Sequence, residues 1–140
     1  MATLYLSLGT NLGDRRKNLS SAMELIATQV GTVVATSDMI ETEPWGFESG
    51  NAFLNMVAKV ETELKPLEAL HTTQQIERLM GRTRKSVNGQ YHDRIIDIDL
   101  LMYDNVTVNT PELTLPHPLM RQRRFVMEPL AQIAPELTNG

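Results

Sequence analysis

The 140-residue chain has no cysteine. That absence excludes a disulfide framework, a thiolate zinc site and a cysteine nucleophile, and it fits a cytoplasmic location. Apolar runs are short, and none approaches the ~18 residues of a membrane span. No membrane partner is expected. The opening stretch, MATLYLSLGTNLGDRR, lacks a basic segment ahead of an apolar run and does not read as a signal peptide. Positive charge is not in excess: Lys and Arg total 13 against 17 Asp and Glu, a net charge of -4. A general nucleic-acid binder would be basic. The length suits one domain spanning residues 1–140 and is too short for a TIM barrel.

What is present is unevenly placed. Eight of the thirteen basic residues lie between Arg78 and Arg124, namely Arg78, Arg82, Arg84, Lys85, Arg94, Arg121, Arg123 and Arg124. An acidic chain with its arginines gathered in one stretch can hold a small anion there, although a solvated surface has the same composition.

Residues 3–8 alternate as a strand, with Leu4, Leu6 and Leu8 on one face. Gly9 to Gly13 read as a tight loop and Asp14 as the N-cap of a helix with Leu19, Ala22, Met23, Ile26 and Val30 on its apolar stripe, stopped by Gly31. Arg15, Arg16 and Lys17 oppose that helix's dipole, a cost that a nearby anion would offset. A second strand is expected over 32–39, a loop over 41–51, and a third strand over 53–62. In that strand Leu54, Met56, Ala58 and Val60 face one way, and Phe53, Asn55 and Val57 the other. Pro66 opens a helix with Leu67, Leu70, Ile76 and Met80 on its stripe, ended by Gly81. Residues 82–93 lack periodicity and read as a mobile loop. Residues 94–103 form a strand that turns at Asp104 and Asn105 into 106–108, and 119–134 form short helices interrupted at Pro129. The order βαββαββα predicts an α+β fold, a ferredoxin-like antiparallel sheet with helices packed on its faces.

The chemistry is concentrated around Asp97 and Asp99. Alternation puts both carboxylates on one strand face, with Ile96, Ile98, Leu100 and Met102 on the other. Like charges so placed repel, and a hard cation such as Mg²⁺ removes the cost while keeping sites for waters and phosphates. Solvated aspartates would show the same spacing, but Arg82, Arg84, Lys85 and Arg94 nearby are what a polyphosphate needs. Gln74 and Glu77 lie three apart on the helix leading into that loop. Asn55, between Phe53 and Val57 on its face, has the donor and acceptor to read a heterocycle edge, or to serve a strand end. His117, between two prolines, suits an anion or a turn cap, and no pair of histidines has metal-ligand spacing.

Taken together these segments resemble the hydroxymethyldihydropterin pyrophosphokinases. The likeness runs through Leu8-Gly9-Thr10-Asn11-Leu12-Gly13-Asp14, Glu41-Thr42-Glu43-Pro44-Trp45-Gly46, Phe53-Leu54-Asn55 and Gln74-Gln75-Ile76-Glu77. It continues through Gly81-Arg82-Thr83-Arg84-Lys85, Arg94-Ile95-Ile96-Asp97-Ile98-Asp99, Pro116-His117-Pro118 and Arg123-Arg124-Phe125-Val126. The resemblance implies a ferredoxin-like fold and transfer of diphosphate from ATP to the hydroxymethyl group of a reduced pterin, with two Mg²⁺ ions, in folate biosynthesis. It implies metal binding by Asp97 and Asp99, and catalytic arginines at Arg82 and Arg94. It implies an ATP site from Gln74, Glu77, Arg84, Lys85, Leu100, Thr114, His117 and Arg123. It also implies a pterin site from Thr42, Pro44, Trp45, Phe53, Asn55 and Phe125. A monomer acting on small molecules is expected. The loop departs from the family pattern at His92 and Asp93, and Tyr91 is its aromatic where tryptophan is common. A D-x-D nucleotidyltransferase and a non-catalytic ferredoxin-like module remain as alternatives on the residues alone.

Overall fold

A computed structural model describes residues 1–42, 52–81 and 95–138. The elements run β1 (Ala2–Thr10), α1 (Arg15–Gln29), β2 (Gly31–Thr36), β3 (Ile40–Thr42), β4 (Phe53–Thr62), α2 (Pro66–Leu79), β5 (Asp97–Tyr103), β6 (Val108–Asn109), β7 (Thr114–Leu115) and α3 (Arg124–Ile133). The main sheet has the order β2-β4-β1-β5, with β3 also paired to β4, and each of these pairings is antiparallel. This is the α+β, ferredoxin-like arrangement expected from the sequence.

Period-two alternation sorts the two sheet faces. Leu4, Leu6 and Leu8 of β1, Leu54, Met56, Ala58 and Val60 of β4, and Ile98 and Leu100 of β5 pack with Leu19, Ala22 and Ile26 of α1 and Ala69 and Ile76 of α2. Each fully buried aliphatic side chain contributes roughly 1.5–3 kcal/mol. On the other face Tyr5, Val57 and Leu101 pack with Met120, Val126, Leu130 and Ala134. A register shift between Tyr5 and Leu6 interrupts the β1–β5 ladder, pairing Tyr5 with Met102 but Leu6 with Leu100. Met102 therefore joins the α3 face rather than the face of Ile98 and Leu100 that strict alternation predicts.

α3 crosses the strands. Its N-cap residue, Arg123, lies 3.9 Å from Asp99 on the edge strand β5. Near its other end Gln132 accepts a hydrogen bond from the Asp38 amide, beyond β2, at 2.7 Å. A ten-residue helix is about 15 Å long, which matches three strand spacings of about 4.8 Å. The polar end of the same sheet face, with Gly9, Phe53, Asn55, Asp97 and Asp99, lies outside the α3 cluster.

Several local expectations change. Residues 40–42 are strand, because β4 is long enough to pair β2 along one half and β3 along the other. Gly31 opens β2 and is required there by a close approach, since a Cβ would sit 2.1 Å from the Glu61 carbonyl oxygen. Residues 106–108 do not pair back on β5; β6 pairs with β7 in a separate ribbon. Pro129 lies inside α3 without ending it; the break falls earlier, at Arg123. The loop expected over 82–93 lies outside the described residues, as does most of the one expected over 41–51.

Two contacts finish the free edge of β5. The Ile98 amide donates to Oε2 of Glu77, a buried residue on α2, at 2.8 Å, and the Leu101 carbonyl accepts from the His117 amide at 2.8 Å. Glu77 thus docks α2 onto the strand residue between the two aspartates. Glu77→Ala should cost about 1–3 kcal/mol by leaving a buried amide unpaired. Glu77→Gln, which keeps an acceptor, should cost less. Urea midpoints of the two variants check this ordering, and equal midpoints would contradict it.

Candidate active site

Three adjacent strands build the floor of the site. Gly9 pairs with Asn55 on one side and with Asp97 on the other, so Asn55 and Asp97 flank a residue with no side chain. Two residues further along the same face, Ser7 pairs with Val57 and Asp99. The glycine is needed: a Cβ there would lie 2.8 Å from Asn55 Oδ1 and 3.5 Å from Phe53 Cδ1. Sequence reading placed Gly9 in a loop and missed this role, which only the strand register reveals.

Asn55 is buried, and its Nδ2 donates to Thr42 Oγ1 at 2.6 Å. β3 makes this bond possible by pairing Thr42 with Phe53 and Ile40 with Asn55. Thr42, Phe53 and Asn55 therefore form one unit. Phe125 sits in the first turn of α3, half-buried against the cluster on the same side of the sheet. The Arg123 guanidinium lies over its ring, 5.5 Å from the centroid. Arg123 is thus shared between an aromatic ring and the carboxylate of Asp99.

Asp97 and Asp99 are both half-buried on this face, as alternation predicts. Their oxygen donors suit Mg²⁺. Among the described residues no group of three or more His, Cys, Asp or Glu side chains converges on one point. A two-carboxylate set fits a cation that completes its shell with water and phosphate oxygens, and does not fit a structural metal.

His117 follows a cis Leu115–Pro116 peptide. Its Nδ1 accepts from the Leu119 amide at 3.2 Å, so the expected turn cap is present and the ring proton is on Nε2. Burial, and next the positive charge of Arg123, hold its pKa below the ordinary histidine value against the opposing pull of Asp97.

The remaining expected site residues are more dispersed. Thr114 is exposed on β7, and Gln74 is exposed on α2. Leu100 is buried on the α1–α2 side of the sheet, opposite the aspartates, and Glu77 is occupied by the Ile98 amide. Of the elements that carry them, α2 and β7 both contact the edge strand β5. Pro44, Trp45, Arg82, Arg84, Lys85 and Arg94 lie outside the described residues. No helix among the described residues is long and apolar enough to cross a membrane.

Comparison with known proteins finds relatives along nearly the whole chain. Residues 5–135 match the model of the family described as 7,8-dihydro-6-hydroxymethylpterin-pyrophosphokinase. A 2-amino-4-hydroxy-6-hydroxymethyldihydropteridine pyrophosphokinase of Porphyromonas gingivalis is 56% identical, covering 98% of this chain and 94% of its own. One of the same description from Bacillus subtilis is 40% identical over 95% of this chain and 78% of its own. A solved HPPK-DHPS structure from Plasmodium falciparum superposes with a TM-score of 0.77 over 96% of this chain at 19% identity, a likeness of fold. This chain spans 42% of that longer one. The chain is therefore a diphosphotransferase by descent and belongs to the 7,8-dihydro-6-hydroxymethylpterin-pyrophosphokinase family.

Proposed function

We propose that the protein transfers the diphosphate of ATP to the hydroxymethyl group of 6-hydroxymethyl-7,8-dihydropterin, releasing AMP, as a step of folate biosynthesis. The observation that carries this reading is the pairing of two recognition chemistries on one sheet face. The Thr42–Asn55–Phe53 unit lies on one side of Gly9 and the Asp97–Asp99 pair on the other. The first suits a flat heterocycle with polar edges. The second suits a metal-bound polyphosphate. A regulatory module has no use for both.

In this reading the pterin ring lies against Phe53 and Phe125. Asn55 spends one of its two N–H groups on Thr42, and its amide is thereby held in one orientation to read the ring edge. Asp97 and Asp99 would hold two Mg²⁺ ions, which when bound supply charge neutralisation at the phosphate oxygens. Arg123, already beside Asp99, meets the same charge. His117 presents Nε2–H as a neutral donor. Gln74, Glu77, Leu100 and Thr114 would contribute along the β5 edge, which a nucleotide must straddle to reach them. Arg84 and Lys85 would complete the ATP site, and Pro44 and Trp45 the pterin site. Arg82 and Arg94 would stabilise charge developing in the transition state.

The substrate hydroxyl oxygen attacks the β-phosphorus. The bond from that phosphorus to the oxygen bridging to the α-phosphate breaks, AMP departs, and the hydroxyl proton passes to solvent. None of the described side chains on this face is a strong base, so rate enhancement comes from positioning and electrostatics.

³¹P NMR of the reaction mixture tests the reading. AMP with a new diphosphate ester is expected. ADP would indicate attack at the γ-phosphorus, and free inorganic diphosphate a nucleotidyl transfer; either result overturns the proposal. Asp97→Ala and Asp99→Ala should each abolish turnover while leaving the circular dichroism spectrum unchanged.

Gly9→Ala should displace the Asn55 amide and weaken pterin binding on the order of tenfold, the worth of one disturbed buried hydrogen bond. ATP affinity should be preserved. Calorimetry with each ligand separately checks this.

His117 should titrate with a midpoint below the ~6.5 of a free histidine. With the folded-state pKa lowered, the stability tied to the neutral ring is complete above the unfolded value. It is lost as pH falls through the folded value. An NMR titration of the His117 ring, paired with denaturation midpoints in the same buffers, should show both effects.

A further inference from the structure

Arg15 opens α1 at a position unfavourable for a cation. The first turn of that helix has no acidic residue, and Arg15, Arg16 and Lys17 all oppose its dipole. The use of Arg15 lies elsewhere. Its Nη1 donates to the Ala52 carbonyl at 2.9 Å and stands 3.5 Å from Glu41 Oε1. Glu41 precedes Thr42, and Ala52 precedes Phe53. Thr42 and Phe53 are the last cross-strand pair of the β3–β4 ladder. A single guanidinium therefore ties the two strands together at the end of a ladder only three residues long.

We propose that Arg15 is a positioning residue for the heterocycle side of the site: it holds Thr42 and Phe53 in register so that Asn55 keeps its orientation. The inference rests on the reading of Thr42, Asn55 and Phe53 as the pterin pocket. Of the two contacts, the bond to the Ala52 carbonyl matters more. The Glu41 side chain is 60% exposed and its ion pair with Arg15 is correspondingly screened, whereas the Arg15 side chain is 31% exposed. Three-residue strands fray at their ends, so loss of the tie should act on the end pair first and leave the central sheet intact.

The test compares Arg15→Ala, Arg15→Lys and Asn55→Ala with the unaltered protein. The KM for the pterin alcohol should rise about five- to tenfold in Arg15→Ala, the scale of one net hydrogen bond. The KM for ATP should stay constant and kcat should change less than twofold. Arg15→Lys should recover part of the loss, because an ammonium can reach the Ala52 carbonyl without bridging both partners. Hydrogen exchange without ligands should speed up at residues 40–42 and 53–55, with the other strands unchanged. Equal increases in both KM values, or exchange rising throughout the sheet, would show a general loss of structure and overturn the proposal. Pterin affinity unchanged in Arg15→Ala but weakened in Asn55→Ala would reject the role of Arg15 and leave the pocket standing. Unchanged affinity in both variants would reject the pocket and the proposal together.

Discussion

Everything at the site follows from how much of one sheet face a ten-residue helix can cover. α1 and α2 cover the opposite face, where Leu4, Leu6, Leu8 and their neighbours leave no room for polar chemistry. α3 lies across the strands on the second face, from Asp99 at one side to Asp38 at the other. Its width protects only the levels of Tyr5, Val57 and Leu101. Beyond it, residues of the same strands that would otherwise be core can be Asn55, Asp97 and Asp99. The same helix supplies Phe125, and Arg123 is its N-cap, so the cover and two groups of the site are one element.

The carboxylate pair shows how the surroundings divide the electrostatic load. Asp97 and Asp99 are half-buried, with Arg123 near one of them. Glu77 is also acidic and close in sequence space to the arginine-rich stretch, yet it is only 3% exposed and its Oε2 accepts from a main-chain amide. A carboxylate taken from water must recover its hydrogen bonds, and an unpaired strand edge must find an acceptor. The contact between Glu77 and Ile98 meets both requirements at once, at the edge of β5. The two aspartates lie half-buried on the open face, and Glu77 meets the strand at its edge.

The strand alternation, the helix cap at Asp14 and the positive-φ stop at Gly81 were legible because each depends on neighbours in sequence. Asp14 accepts from the Lys17 amide as a cap should, and Glu41 stands beside Arg15 in the basic first turn of α1. The D-x-D motif was legible for the same local reason. What escaped was register. The role of Gly9 comes from standing opposite Asn55, and that of Gly31 from the approach of Glu61; neither partner can be paired with its glycine from spacing. The short strand β3 was hidden because a three-residue segment lacks a period of its own and exists through its pairing with β4. Gln74 and Glu77 share a helix face by spacing, but packing turns Glu77 inward and leaves Gln74 in solvent.

The irregularity between Tyr5 and Leu6 has a consequence for which changes of length the chain can absorb. On one side of it β5 sends Asp97 and Asp99 to the open face, and on the other it sends Leu101 and Met102 to the α3 cluster. The extra residue lets a single strand obey two phases. Loss of the extra residue itself would only close the bulge and leave Met102 opposite Tyr5, whereas loss of a residue from 97–99 would carry part of β5 through the plane of the sheet. A surface connection can lengthen by several residues at little entropic cost. Within 97–99 one residue is already a change of side. Insertions and deletions compatible with the fold should therefore collect in the connections between elements and be absent from 97–99.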